Sequence, residues 1–92
     1  MSLKLNIMNI REKIEVLLQE YLDAPEAWSD SVVIEVNPAS LDARLRDEEE
    51  VDMDSDVFDY WPVMDFLLMS VENPGEWKVD PEAVSELVSS YD

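Results

Sequence analysis

Cysteine and histidine are both absent from this chain of 92 residues. Without cysteine there is no disulfide, no thiolate metal site and no cysteine nucleophile. Without histidine the commonest general acid and base is missing, and no nucleophile motif such as G-x-S-x-G occurs. The single glycine, Gly75, leaves no glycine-rich loop for phosphate. Carboxylates alone need a deep cleft for catalysis, which a domain of this size hardly provides, so we expect no enzymatic activity and no cofactor.

Basic side chains are scarce, since six lysines and arginines stand against 23 acidic residues and give a formal net charge of −17. The imbalance is uneven. Residues 1–46 hold five basic and eight acidic side chains, a net of −3, whereas residues 47–92 hold one basic and fifteen acidic side chains, a net of −14. Such a field repels phosphate, which disfavours direct binding to nucleic acid or to an anionic membrane. Basic proteins and metal cations remain as partners.

Long apolar runs are also missing, because none approaches the roughly 20 residues of a transmembrane helix. The N-terminus lacks the order of a signal peptide, so we expect no membrane insertion and a cytoplasmic location. Hydrophobic residues make up 47% of the chain, enough for one small domain over residues 1–92. Residues 1–6 are expected to be flexible or a remnant of cloning.

Two helices are predicted near the ends of the chain. Over residues 7–22, from Ile7 onward, apolar side chains recur at steps of three and four, and Pro25 then excludes further helix. Near the C-terminus, Asp80-Pro81-Glu82 combines a cap, a proline at the first position and an acid in the first turn. The three residues before it, 77–79, are expected to be extended.

A β-hairpin is predicted over residues 32–46. Residues 32–36 are rich in β-branched side chains, residues 37–40 (Asn-Pro-Ala-Ser) suit a type I turn, and residues 41–46 alternate apolar and charged. In the alternative, Asn37 caps a helix that starts at Pro38. That helix would end against the acids of residues 47–50, where its dipole disfavours negative charge, so the hairpin is favoured.

A third helix is predicted in the middle of the chain, with Asp59 as its cap and Pro62 in its first turn. Residues 61–69 are apolar on nearly every side, which is typical of a buried helix, and residues 72–75 form a turn. The predicted fold class is therefore α+β, a small single domain in the order α-β-β-α-α with one β-hairpin packed on three helices. The apolar face of the hairpin is led by Ile34, Leu41 and Leu45.

The candidate site is the acidic stretch, residues 47–59, which has eight carboxylates and no basic residue. Small acidic inhibitors of nucleases and of DNA-binding proteins are similar to this chain in size and charge, and their carboxylates can mimic phosphates. We therefore expect a basic protein partner, because opposite potentials speed association. The predicted partner-binding residues are Glu48, Glu49, Asp52, Asp54, Asp56, Asp59, Tyr60 and Trp61. Tyr60 and Trp61 have an alternative role in the core.

Calcium binding is the second hypothesis. Asp52, Asp54 and Asp56 give the D-x-D-x-D opening of an EF-hand loop, and with Glu50 they form a candidate metal site. The match stops there, because the sixth and twelfth positions, which need glycine and glutamate, are Val57 and Val63. Three further interpretations stay open: residues 47–58 as a merely solvated acidic loop of a structural subunit without a ligand, a segment that folds on a partner, and adaptation to a salty cytoplasm.

Overall fold

The first element of the computed structural model, which describes residues 9–28 and 31–91, is helix α1 (Ile10–Asp23). Asn9 caps it, since its Oδ1 accepts a hydrogen bond from the Glu12 backbone N–H at 2.8 Å. The helix ends before Pro25, which opens a single 3₁₀ turn. The predicted first helix is confirmed, although it begins at Ile10; Ile7, its predicted start, and residues 1–6 lie outside the described residues.

The hairpin forms as predicted from strands β1 (Val32–Val36) and β2 (Ala43–Asp47), which pair antiparallel, but its loop covers residues 37–42 instead of 37–40, so the second strand begins at Ala43 and not at Leu41. Asn37 closes its loop, because the Oδ1 atom accepts from the backbone N–H groups of Ala39 and Ser40 at 2.9 and 3.3 Å. Leu41 ends the loop in the left-handed region with φ 63°, which is uncommon for a leucine. A third strand, β3 (Asp59–Pro62), pairs with the other edge of β1, so the strand order is β2-β1-β3.

The helix predicted over residues 59–69 is wrong. The segment instead forms β3, a 3₁₀ turn (Val63–Phe66) and strand β4 (Leu67–Met69). Asp59 does not cap a helix, because it pairs with Val36 across the sheet, and Trp61 pairs with Ile34. Pro62 is tolerated because it ends a strand at the edge of the sheet, where its missing N–H breaks no ladder.

A second, two-stranded sheet is formed by β4 and β5 (Trp77–Val79), which pair antiparallel. The extended segment predicted at 77–79 and the turn before it are thus confirmed, and Gly75 occupies that turn with φ 99°. Helix α2 (Pro81–Ser89) follows as predicted, and Asp80 Oδ1 accepts from the Glu82 backbone N–H at 3.0 Å. The described residues therefore form a small α+β domain with two α-helices and two antiparallel sheets, instead of the order α-β-β-α-α with three helices.

The core lies between the two helices and one face of the three-stranded sheet, which we call the inner face. Alternation along β1 directs Val32, Ile34 and Val36 to this face. Leu45 is buried there too, and Leu41 is partly buried against it, as predicted. The side chains with the least exposure are Ile14, Leu18, Ile34, Val36, Val63, Val84 and Leu87.

Residues 48–58, which we call the acidic connection, join β2 to β3 across the opposite, outer face of this sheet. Both strands are antiparallel to β1 and lie on its two sides, so the chain must travel from Asp47 beside Val32 to Asp59 beside Val36. The helices occupy the inner face, and only the outer face is left for this crossing. The crossing also explains why both outward-facing residues of β1, Val33 and Glu35, are buried.

Candidate protein-binding surface

The acidic connection is held in place by a backbone hydrogen bond to Ser31, by local turns and by a few half-buried side chains. It starts with one 3₁₀ turn (Glu48–Glu50), whose first N–H donates to the Ser31 carbonyl at 2.9 Å. Further along, Asp52 Oδ1 accepts from the Asp54 N–H at 3.0 Å, and Ser55 Oγ accepts from the Val57 N–H at 3.1 Å. These local turns fix the path of the chain without requiring the carboxylates to pair with cations.

Most of the predicted partner-binding carboxylates lie on the solvent side of the acidic connection. Two apolar side chains are exposed among them: Met53 at 43% and Val57 at 59% of their full accessible area. Phe58 is half-buried, and its ring centroid lies 6.3 Å from that of Tyr60 on the outer face of the sheet. The exposed carboxylates are Glu48, Glu49, Glu50, Asp52, Asp54 and Asp56.

A buried charge cluster lies beneath the acidic connection, centred on Glu35, whose side chain is 4% exposed. Arg44 Nε lies 2.6 Å from Glu35 Oε1, and Arg46 Nη1 lies 3.6 Å from Oε2. Tyr60 donates its hydroxyl to Oε2 at 3.2 Å. The desolvated carboxylate is thus compensated by two guanidinium groups and one hydroxyl. Burial, and then the hydrogen bond to Glu35, raise the pKa of Tyr60 above its ordinary value.

This cluster decides how the neighbouring acids are balanced. Arg44 and Arg46 are the basic residues nearest in sequence to the acidic stretch, and each forms an ion pair with Glu35. The other described ion pairs join Arg11 to Glu15 and Lys13 to Asp42. The six exposed carboxylates of the acidic connection therefore face solvent and not the protein's own described cations.

The last three predicted partner-binding residues make side-chain contacts with other parts of the chain, although Asp59 itself is exposed. Tyr91 in the last turn after α2 donates its hydroxyl to Asp59 Oδ2 at 2.8 Å and accepts from Trp61 Nε1 at 2.8 Å. Trp61 also packs edge-on against Tyr91 and Phe66, with both centroid distances 6.3 Å. Tyr60 supports Glu35. The structure therefore gives Asp59, Tyr60 and Trp61 contacts within the chain. The core alternative agrees with the position of Trp61, which packs against the core, but not with that of Tyr60, which lies on the outer face.

Tyr91 is the titratable group in this network whose pKa is shifted most. Burial raises its pKa from 10.0 to about 12, the hydrogen bond from Trp61 opposes this rise, and the hydrogen bond to Asp59 adds to it. The phenol therefore stays protonated well above neutral pH and keeps donating to Asp59. It links helix α2 to strand β3 by a neutral hydroxyl between a carboxylate and an indole.

The candidate metal residues are not brought together. Among residues 9–28 and 31–91, no three acidic side chains are grouped closely enough to hold a metal ion. One carboxylate oxygen of Asp52 accepts a hydrogen bond from the Asp54 N–H, as described above, and Glu50 belongs to the preceding 3₁₀ turn. The calcium hypothesis has no geometric support in this part of the chain.

Comparison with known proteins adds no assignment. No family model matches the chain, and neither curated proteins nor solved structures show a significant match to it. In the described part of the chain, no helix has the length and apolarity needed to cross a bilayer. The cytoplasmic location stays a prediction. We therefore infer a function from the geometry and charge of this chain alone.

Proposed function

We propose that this protein is a non-enzymatic interaction module that binds a basic surface of another protein through the acidic connection. In this role it acts as an inhibitor, an antitoxin-like protein or a regulator that mimics nucleic acid. Glu48, Glu49, Asp52, Asp54 and Asp56 contact the partner, whereas Asp59, Tyr60 and Trp61 hold the connection to the fold.

The observation that carries the proposal is a row of exposed carboxylates with exposed apolar side chains between them. Exposed carboxylates create a field that steers a basic partner and raises its association rate. Charge alone gives little affinity at a solvated rim, since rim pairs are screened. Met53 and Val57 supply apolar area that a partner can bury, and methionine adapts its shape to such a surface.

Charge-matched variants test the proposal. Asp52→Asn, Asp54→Asn and Asp56→Asn, combined, remove three charges from the acidic connection. Glu72→Gln, Glu82→Gln and Glu86→Gln, combined, remove three charges from exposed positions elsewhere and serve as the control. Proteins captured from a lysate of the source organism are identified, purified and titrated against all three forms at increasing salt.

We expect a captured basic protein whose affinity falls with salt and drops about tenfold or more in the Asn variant, mainly through its association rate. The Gln control should keep most of the affinity. Equal losses in both variants would mean that only the net charge matters. Binding that is insensitive to salt and to the Asn variant would overturn the proposal.

A further inference from the structure

An apolar groove of about 330 Å³ lies between the C-terminal end of α1, the turn after it and the β4–β5 hairpin. Its walls come from parts of the chain that are far apart in sequence, so it is a product of the fold. Gly75 lies at one edge. The side chains that line it, called the apolar groove below, are Tyr21, Leu22, Pro25, Met64, Leu67 and Trp77.

Two of the lining side chains remain largely exposed, Met64 at 48% and Trp77 at 40%. Met69, which pairs with Trp77 across the two strands, is 53% exposed. Tryptophan and methionine are enriched in protein interfaces, where tryptophan commonly dominates the binding energy. This surface therefore has the residue types of a binding groove.

The charge around the groove selects its occupant. Of the basic residues, Lys78 follows Trp77 directly, but acidic residues are more numerous among the chain neighbours of the lining residues, which we call the rim. A second copy of this chain, with a formal charge of −17, would bring like charges together at this rim. A cationic segment would instead be attracted to it. The exposed carboxylates that are chain neighbours of lining residues are Glu20, Asp23, Glu26, Asp65 and Glu76.

The groove is also continuous with the acidic connection. Met64 lines a second, smaller cavity of about 150 Å³, whose other walls include Glu48 and Met53. One side chain thus joins the apolar groove to the carboxylates of the connection. A ligand that fills the groove can extend over Met64 and place positive charges beside Glu48 without leaving the surface.

We infer that the apolar groove binds a cationic amphipathic helix of the partner, with apolar side chains in the groove and lysines or arginines against the carboxylates. The inference rests on the proposed function, because it names the form of the basic partner. Helices bind in this way by placing residues at i, i+3, i+4 and i+7 into an apolar groove. The acidic rim and the acidic connection supply the selection for positive charge.

Two synthetic peptides of about 14 residues, near the shortest length at which isolated helices form, serve as probes. Both consist of leucine and lysine in equal amounts. In the ordered peptide the leucines lie at helical spacing on one face, and in the scrambled peptide they are dispersed. Dissociation constants are measured by fluorescence anisotropy of the labelled peptides, and far-ultraviolet circular dichroism shows that each protein variant is folded.

The variants separate the groove from the acidic connection. Met64→Gln and Trp77→Gln, made singly, replace exposed groove side chains by polar ones. Val71→Gln is the matched control, because Val71 is 94% exposed in the β4–β5 turn and does not line the groove. The combined Asp52→Asn, Asp54→Asn and Asp56→Asn variant reports on the acidic connection.

We expect the protein to bind the ordered peptide about tenfold more tightly than the scrambled one, a preference that Met64→Gln and Trp77→Gln remove and Val71→Gln keeps. The Asn variant should bind both peptides more weakly than the natural chain does. Equal affinity for both peptides, with both still weakened in the Asn variant, would overturn the groove inference and leave the proposed function standing. If the Asn variant binds both peptides as tightly as the natural chain does, the proposed function itself is overturned. Self-association of the protein alone in sedimentation, abolished by Trp77→Gln, would assign the groove to a second copy.

Discussion

The two faces of the three-stranded sheet are buried by different means. On the inner face, Ile34 and Val36 are fully enclosed in the apolar core, to which both helices contribute. On the outer face, Val33 and Glu35 are almost equally buried, yet their cover is the acidic connection. An acidic segment does not form an apolar core. The buried charge on that face, Glu35, is instead balanced by ion pairs with Arg44 and Arg46. Burial of a strand on both sides therefore does not imply two equivalent cores.

The same substitution on the two faces of β1 tests this difference. Val36→Ala should cost about 2–3 kcal/mol in the free energy of unfolding, since two buried methyl groups are lost and the rigid core leaves a cavity. Val33→Ala should cost about half as much, because the acidic connection can settle onto the smaller side chain. Urea unfolding of both variants measures the costs. Equal costs would show that the outer cover is packed as tightly as the core.

Removal of the buried charge should have the next largest effect. Glu35→Gln takes the shared partner away from Arg44 and Arg46 and is expected to cost about 1–2 kcal/mol. The cost stays moderate because the Arg44 side chain is 62% exposed and can turn to water. The double variant Glu35→Gln and Arg44→Gln should cost less than the sum of the two single changes. Additive costs in unfolding would mean that this pair is not coupled.

Most of the fold could be predicted from the sequence, because local signals agreed with the final structure. The helix caps, Pro25 and the turn at residues 37–40 each act within a few residues, and they placed α1, α2, β1 and β2. The prediction of a helix over residues 59–69 was wrong because the contacts that decide its structure are long-range. Trp61 beside Ile34 favours a strand, whereas the run of apolar residues after it is equally typical of a buried helix.

The candidate site could be predicted only in part. The exposed carboxylates follow from composition, but the partners of Asp59, Tyr60 and Trp61 come from strands and a helix distant in sequence. The Glu35 cluster was missed because the predicted hairpin has a different register from the observed one. The loop covers residues 37–42, so antiparallel pairing sets Glu35 opposite Arg44, whereas the turn predicted at residues 37–40 sets Glu35 opposite Asp42. The apolar groove has no local signal, because its walls meet only after folding.

Tyr91 provides a smaller test on the inner face. Tyr91→Phe removes the hydroxyl that joins Trp61 to Asp59 and should cost about 1 kcal/mol at neutral pH. The raised pKa adds a pH dependence: its contribution to stability is complete below pH 10.0 and is lost as the pH rises through about 12. The variant should therefore lose less stability than the natural chain over that interval, as followed by urea unfolding.

Tyr21→Phe is the control for this prediction, because Tyr21 is half-buried beside the apolar groove and is not part of the Tyr91 network. It should leave the alkaline fall in stability unchanged. An alkaline profile of Tyr91→Phe identical to that of the natural chain would contradict the role given to the hydroxyl.

The most direct test of the central claim, that the carboxylates of the acidic connection are held together by the path of the chain and not by internal cations, is the salt dependence of unfolding. The free energy of unfolding is measured by urea titration from low to high sodium chloride for the natural chain and for the combined Asp52→Asn, Asp54→Asn and Asp56→Asn variant. Screening of mutual repulsion should stabilise the natural chain as salt rises and should stabilise the variant distinctly less. A natural chain that loses stability with salt, or equal slopes for the two proteins, would contradict the claim.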